Sequence, residues 1–317
     1  VGPAAAAPVL PRRELHVHLE GTVSPDTLRR IAARHDYALP DDLERHYRFT
    51  DFRSFLRTWL LTTNALQGYA DYRDVVLDYA AQVAPLGVVY VEGIFSPPER
   101  VERGARWDEL FDGYCDGAQA AEEEHRVVVR LTPDLYRGVS RELARETAEW
   151  AVRYRERGVV GLGIGGHEPA APLSDYVEAF AIAREGGLAA VPHAGEHTDA
   201  AAVAEALDLL EPARIRHGIA AVGDAGVVRE LAARGTVLDV ALTSNVLLGA
   251  VPSYAAHPLP ALTAAGVPCS ISTDDPAMFD TDIAQELGHA AALGIDEQQA
   301  HDAALAGALD RTAALRS

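Results

Sequence analysis

The sequence predicts an α/β fold, a closed (β/α)8 barrel of the TIM type, and two observations predict it. Eight short runs rich in Val, Ile and Leu alternate with longer stretches whose apolar residues recur three and four apart, which is the rhythm of parallel βα units. Polar residues finish nearly every run, and a barrel collects such residues at the C-terminal ends of its strands. A doubly wound open sheet would fit the alternation but gives no reason for that placement.

In chain order the runs are 14–20 (ELHVHLE), 88–97 (VVYVEGIFSP), 127–133 (VVVRLTP), 159–166 (VVGLGIGG), 188–196 (LAAVPHAGE), 214–219 (RIRHGI), 236–245 (TVLDVALTSN) and 267–276 (VPCSISTDDP). Between them lie Ala- and Leu-rich amphipathic stretches such as 199–210 (DAAAVAEALDLL) and 224–234 (DAGVVRELAAR), which read as helices. Residues 22–87 are too many for one connection. They read as several extra helices between strands 1 and 2 that cover the barrel mouth, including the aromatic stretch 49–59 (FTDFRSFLRTW). Residues 1–13 read as a flexible leader whose prolines and trailing Arg pair do not fit a signal peptide, and 14–317 as a single catalytic barrel domain.

Composition narrows the chemistry. The 317 residues are 48% hydrophobic and 24% charged, ordinary for a globular chain with a sizeable core. A net charge of −19 argues against nucleic acid and anionic membranes as partners. No run approaches the ~18 apolar residues of a membrane span. All 28 basic residues are Arg, so a Schiff-base lysine, a Walker lysine and a carbamylated-lysine metal bridge are impossible. Two cysteines, Cys115 and Cys269, are too few for a disulfide framework or a four-thiolate site. A cytoplasmic location is expected.

The chemistry-bearing residues fall at run ends. His16 and His18 are two apart on an extended run and share a face. Run five ends in His193-Ala194-Gly195-Glu196, run six holds His217-Gly218, and run eight ends in Asp274-Asp275-Pro276. Imidazole and carboxylate donors suit Zn2+ with one position left for water, and such a metal brings the pKa of water from ~15.7 towards ~7. For Asp275 an alternative is the N-cap of the helix that follows. His35, His46, His125, His257, His289 and His301 read as solvated or structural, whereas His167 and His197 lie beside the constellation.

ELHVHLEGT, VPHAGE, RIRHGI, TSNVLLGAV and STDDPAMF, in this order, resemble the motifs of the adenosine deaminase family of zinc (β/α)8 enzymes. The resemblance implies one Zn2+ per chain held by His16, His18, His193 and Asp274. It implies further that Glu196 exchanges a proton with purine N1, that His217 orients and stabilises the attacking hydroxide, and that Asp274 also accepts a proton from water. Asp275 would hydrogen-bond N7, the backbone of Gly166 would meet N3, and His18 and Glu20 would touch substrate. The expected function is hydrolytic deamination of a 6-aminopurine nucleoside, adenosine or a 5′-modified relative such as aminodeoxyfutalosine. Free adenine as substrate, or a non-catalytic purine-binding member, is the alternative. Glu20 stands where nucleoside deaminases of the family commonly have Asp, Gly93-Ile94 replaces an apolar residue and an Arg, and Gly165-Gly166 replaces the Ser-rich stretch of adenine deaminases.

Overall fold

The computed structural model describes residues 10–48 and 52–316. The expected leader at 1–9 and the start of the aromatic stretch at 49–51 lie outside the described residues. All eight expected strands form: β1 (Arg12–His18), β2 (Val88–Phe95), β3 (Val128–Tyr136), β4 (Gly161–Gly165), β5 (Ala189–Ala190 continued by His193–Ala194), β6 (Arg214–His217), β7 (Val237–Val240) and β8 (Cys269–Ile271). Every neighbouring pair is parallel. β5 is interrupted at Pro192, which has no N–H for the ladder. The chain stays in register, with Val191 N–H on the Leu162 carbonyl (3.0 Å) and Arg216 N–H on that of Pro192 (2.9 Å). The circle closes where Val17 bridges Asp274, His18 N–H meeting the Asp274 carbonyl at 2.7 Å and Asp274 N–H that of His16 at 3.1 Å.

Three boundary differences bear on the site. β1 begins at Arg12, so two residues assigned to the leader are barrel. β3 runs past Pro133, which pairs with Phe95, to Tyr136. β7 ends at Val240, and the TSN of 236–245 lies in the helix Leu242–Leu247.

The apolar core lies between strands and outer helices. The inside of the barrel is ionic. Arg214, fully buried on β6, donates to Asp239 of β7, to Glu92 of β2 (2.7 Å) and to the carbonyls of Leu15 and Gly307 (both 2.9 Å). Two residues on, Arg216 points the same way and donates to Asp134 (2.6 Å) and Thr132 (2.7 Å) of β3. A buried cation is tolerable only when paired and hydrogen-bonded like this.

The expected cap over the mouth is present. Helices Pro25–Arg34, Leu43–His46, Phe52–Ala65 and Tyr69–Val83 lie between β1 and β2, and Phe52–Ala65 turns Phe55, Leu56, Trp59 and Leu60 onto the cavity below. Phe55 stacks on Phe279 beyond β8, ring centres 5.5 Å apart, and so ties the cap to the segment that follows the last strand. Among the described residues no helix is long and apolar enough to cross a membrane.

Candidate metal centre and reaction cavity

Strand alternation turns His16 and His18 of β1 into the barrel mouth, and β5 brings His193 beside them. Asp274, just past β8, adopts a left-handed backbone (φ 65°), as does His217 at the end of β6 (φ 59°). That conformation is costly for a residue with a side chain and persists where surrounding structure enforces it. At His217 it also breaks the strand alternation, so His217 reaches the mouth although it directly follows the inward-facing Arg216.

The Nε2 atoms of His16 and His18 each lie close to Nε2 of His193 (3.2 and 3.3 Å) and to Oδ1 of Asp274 (3.2 and 3.3 Å). Tetrahedral donors about 2.0–2.1 Å from a Zn2+ stand about 3.3 Å from each other, so these spacings match the edges of a zinc tetrahedron. Protonation agrees. Nδ1 of His193 donates to the Ile164 carbonyl (2.9 Å) and Nδ1 of His16 to that of Asp239 (3.3 Å), which leaves bare Nε2 lone pairs aimed at one another. Burial pushes the His18 imidazole down to about 4 and that of His16 well below its ordinary value, so both are neutral ligands at neutral pH. Bare lone pairs in van der Waals contact repel unless a cation lies between them. The donor set therefore fits a divalent metal.

Two further carboxyl groups, Glu196 and Asp275, stand beside this cluster. Glu196, in the loop after β5, has Oε2 3.6 Å from His217 Nε2 and Oε1 3.3 Å from His197 Nε2. Burial pushes its pKa up, but His217 and His197 outweigh this and leave it below the ordinary value. Asp274 and Asp275 are neighbours driven apart. Burial pushes Asp274 up too, but the imidazoles of His16, His217 and His18 hold it ionised. Ser244 donates to its Oδ2 at 2.6 Å. Burial and the charges of Asp274, Glu20 and Glu196 push Asp275 well above the carboxylate range, so it is a neutral acid with a proton to donate, and its Oδ1 has no partner among the described residues.

These residues, with Gly166, line a cavity of about 330 Å3 capped by Phe55, Leu56, Trp59 and Leu60. Of the expected site residues, two are missing from the lining: His16, which is fully buried beneath the other donors, and Glu20. Glu20 is fully buried behind the wall, its Oε1 accepting from the N–H of Ser96 (3.0 Å), and Ser96 does reach the cavity. Glu20 thus stands one layer behind the residues that face the cavity. One extra methylene relative to Asp lets its carboxyl cap the end of β2.

Two neighbours of the site escaped the sequence reading. Asp134, carried in by the unexpected extension of β3, lies 3.4 Å from His193 Nδ1 and is held by Arg216. Burial raises its pKa, but Arg216 and His193 prevail and keep it ionised. Glu168, two residues past Gly166, accepts from the N–H groups of Gly195, Glu196 and His197 (2.8, 2.9 and 3.1 Å) and from the Thr198 hydroxyl (2.8 Å). One carboxylate thus moulds the loop that carries Glu196. A Glu in a loop beside a catalytic-looking motif was the available signal.

Comparison with known proteins agrees with this geometry. The family model described as adenosine deaminase matches residues 11–312. An aminodeoxyfutalosine deaminase of Acidothermus cellulolyticus is 53% identical over 95% of this chain and 87% of its own. The crystal structure of an adenine deaminase from Arthrobacter aurescens superposes with a TM-score of 0.89 at 30% identity, covering 97% of both chains. An amidohydrolase from Burkholderia ambifaria with bound Zn superposes with a TM-score of 0.90 at 25% identity, covering 96% of this chain and 88% of that one.

Proposed function

The chain belongs to the adenosine deaminase family, and on that premise we propose that it deaminates a 6-aminopurine nucleoside by hydrolysis, with one Zn2+ held by His16, His18, His193 and Asp274. The observation that carries this reading is the cluster of three imidazole nitrogens and one carboxylate oxygen at zinc-tetrahedron spacing. The metal would supply a water activated near neutral pH.

The protein groups account for the rest of the reaction. Water adds at C6, and of its two protons one ends on N1 and the other on the departing ammonia. Asp274, ionised, takes a proton from the attacking water. Glu196, ionised at rest, takes up the water's other proton and passes it to N1 as charge develops on the ring, which lowers the barrier to addition. The proton held by Asp274 goes to the departing ammonia. His217 turns Nε2 toward the nucleophile. Asp275, kept neutral, donates to N7, which has a lone pair and no hydrogen. Neighbouring carboxyls whose proton affinities are pushed apart take opposite roles in this way. The N–H of Gly166 serves N3.

The mouth supports a nucleoside whose 5′ side carries an apolar group rather than a phosphate. Leu56 and Leu60, each 40% exposed, extend the cavity wall outwards as an apolar rim. Among the described residues no Arg lines the cavity, while Glu99 and Asp134 do, an arrangement that disfavours a 5′-phosphate. The 53% identity to an aminodeoxyfutalosine deaminase supports the same choice. Adenine is a second reading, favoured by the likeness to the Arthrobacter adenine deaminase. Initial rates with zinc-loaded protein on adenine, adenosine and aminodeoxyfutalosine side by side test the proposal. The expected order puts aminodeoxyfutalosine first and adenine last. A higher kcat/KM for adenine would replace the nucleoside reading by the base reading.

A further inference from the structure

A file of hydrogen bonds starts at a backbone amide outside the cavity and ends on His217. Leu259 is the first residue of the helix Leu259–Ala264, so its N–H has no partner within that helix. It donates instead to Nδ1 of His257 at 3.1 Å. Nε2 of His257 lies 3.2 Å from Oδ1 of Asn245, and Nδ2 of Asn245 lies 3.0 Å from Nδ1 of His217. All three side chains are buried.

Ring tautomers and amide orientations are ambiguous singly, but a backbone N–H is a donor and nothing else. Nδ1 of His257 must therefore accept, so the hydrogen of the neutral ring sits on Nε2. That hydrogen points at Asn245 and fixes the amide with its oxygen towards His257. The NH2 of Asn245 then faces His217, whose Nδ1 must accept, and the ring hydrogen of neutral His217 is left on Nε2. Nε2 is the atom that faces the cavity, 3.6 Å from Glu196 and 3.8 Å from Asp274. Burial, with His217 nearby, pushes His257 down to about 4, so this ring stays neutral at working pH.

We propose that Asn245 and His257 are positioning residues that set the tautomer and ring orientation of His217, so that it meets the reacting oxygen as a hydrogen-bond donor. The proposal rests on the deaminase reading above. β6 alone would leave this ring free to present either nitrogen. The relay, built from the helix Leu242–Leu247 and the residues just before the helix Leu259–Ala264, removes that freedom at no cost in net charge.

Two measurements on the zinc-loaded protein test it, and the first does not depend on turnover. 15N NMR of the imidazole nitrogens is expected to show Nδ1 of His217 unprotonated and Nε2 protonated; the reverse assignment would overturn the proposal. The second is Asn245→Asp, which keeps the shape but has no N–H to offer, so that Nδ1 of His217 must become the donor. It is expected to bring a proton to Nδ1 and to lower kcat about 10²-fold with KM and zinc content little changed. His257→Phe frees the Asn245 amide to turn over and is expected to cost about tenfold in kcat. Wild-type kcat in both variants, or in Asn245→Asp with Nδ1 shown to be protonated, would overturn the proposal. Should no 6-aminopurine be turned over at all, the deaminase reading fails, while the NMR assignment still decides the tautomer.

Discussion

Gly21→Ala isolates the part played by Asp275. Gly21 lies in the short 3-10 turn Leu19–Thr22 directly after β1 and is not among the positive-φ residues, so an alanine meets no backbone strain there. Its new Cβ would fall 2.0 Å from Oδ1, 2.7 Å from Cγ and 2.8 Å from Cα of Asp275. To regain an ordinary 3.4 Å contact, the carboxyl oxygen must retreat by about 1.4 Å, and the backbone must follow by about 0.6 Å. A displacement of about 1 Å at a substrate-holding group can cost about 10²-fold in rate, or about 2.7 kcal/mol of transition-state stabilisation. Crowding at a buried site costs about 1–3 kcal/mol of stability besides. The assay is kcat/KM on the best 6-aminopurine, with zinc per chain and the thermal midpoint as controls. A folded, zinc-replete Gly21→Ala enzyme with kcat/KM within about threefold of wild type would show that Asp275 does not hold the substrate, and the assignment of N7 to it would fall.

Other expectations follow from the same geometry. Glu196→Gln is expected to keep zinc and fold but lose about 10²–10⁴-fold in kcat, because the proton carrier is gone; full activity would refute the assigned role. His16→Ala removes one corner of the donor tetrahedron, so zinc per chain by elemental analysis is expected to fall, and an unchanged content would mean that the ligand set is wrong. Burial, only partly offset by bonds from Thr273 and Tyr79, pushes Glu14 up from 4.5 to about 7. Between those values the folded protein binds more protons than the unfolded chain, so Glu14 makes stability fall as pH rises through the window, by about 3 kcal/mol in all. Denaturation of wild type and Glu14→Gln across pH 4.5–7.5 is expected to show the steeper fall in wild type, the variant keeping the part owed to Glu20, which burial also pushes up to about 7; parallel profiles would contradict it.

The barrel was legible because each strand is a short β-branched run opened by a break, and because strand ends carry the polar residues. What stayed hidden depended on interactions distant in sequence. Pro133 read as a strand end, yet it pairs with Phe95 and the strand runs on to Tyr136, and so Asp134 was missed. The ring of charges on Arg214 and Arg216 was not foreseen, since a strand with two buried guanidiniums looks exposed until Glu92, Asp239 and Asp134 are seen across the barrel. Glu20 fitted a family position, but its contact with Ser96 lies 76 residues away. His257 read as structural because its link to His217 passes through Asn245 and takes its direction from one backbone N–H. The four donors of the candidate metal centre were quoted from the motifs, and the structure brings them together; their roles are for experiment to assign.

The central claim is that this cluster, with Glu196, removes the amine from a 6-aminopurine. The most direct measurement is ammonia released per zinc-loaded chain from a 6-aminopurine nucleoside, run beside chelator-stripped protein and Glu196→Gln. The account predicts many turnovers by the loaded wild type and almost none by the other two. Release that survives removal of the metal, or its absence with every 6-aminopurine offered to the zinc-loaded wild type, would contradict it.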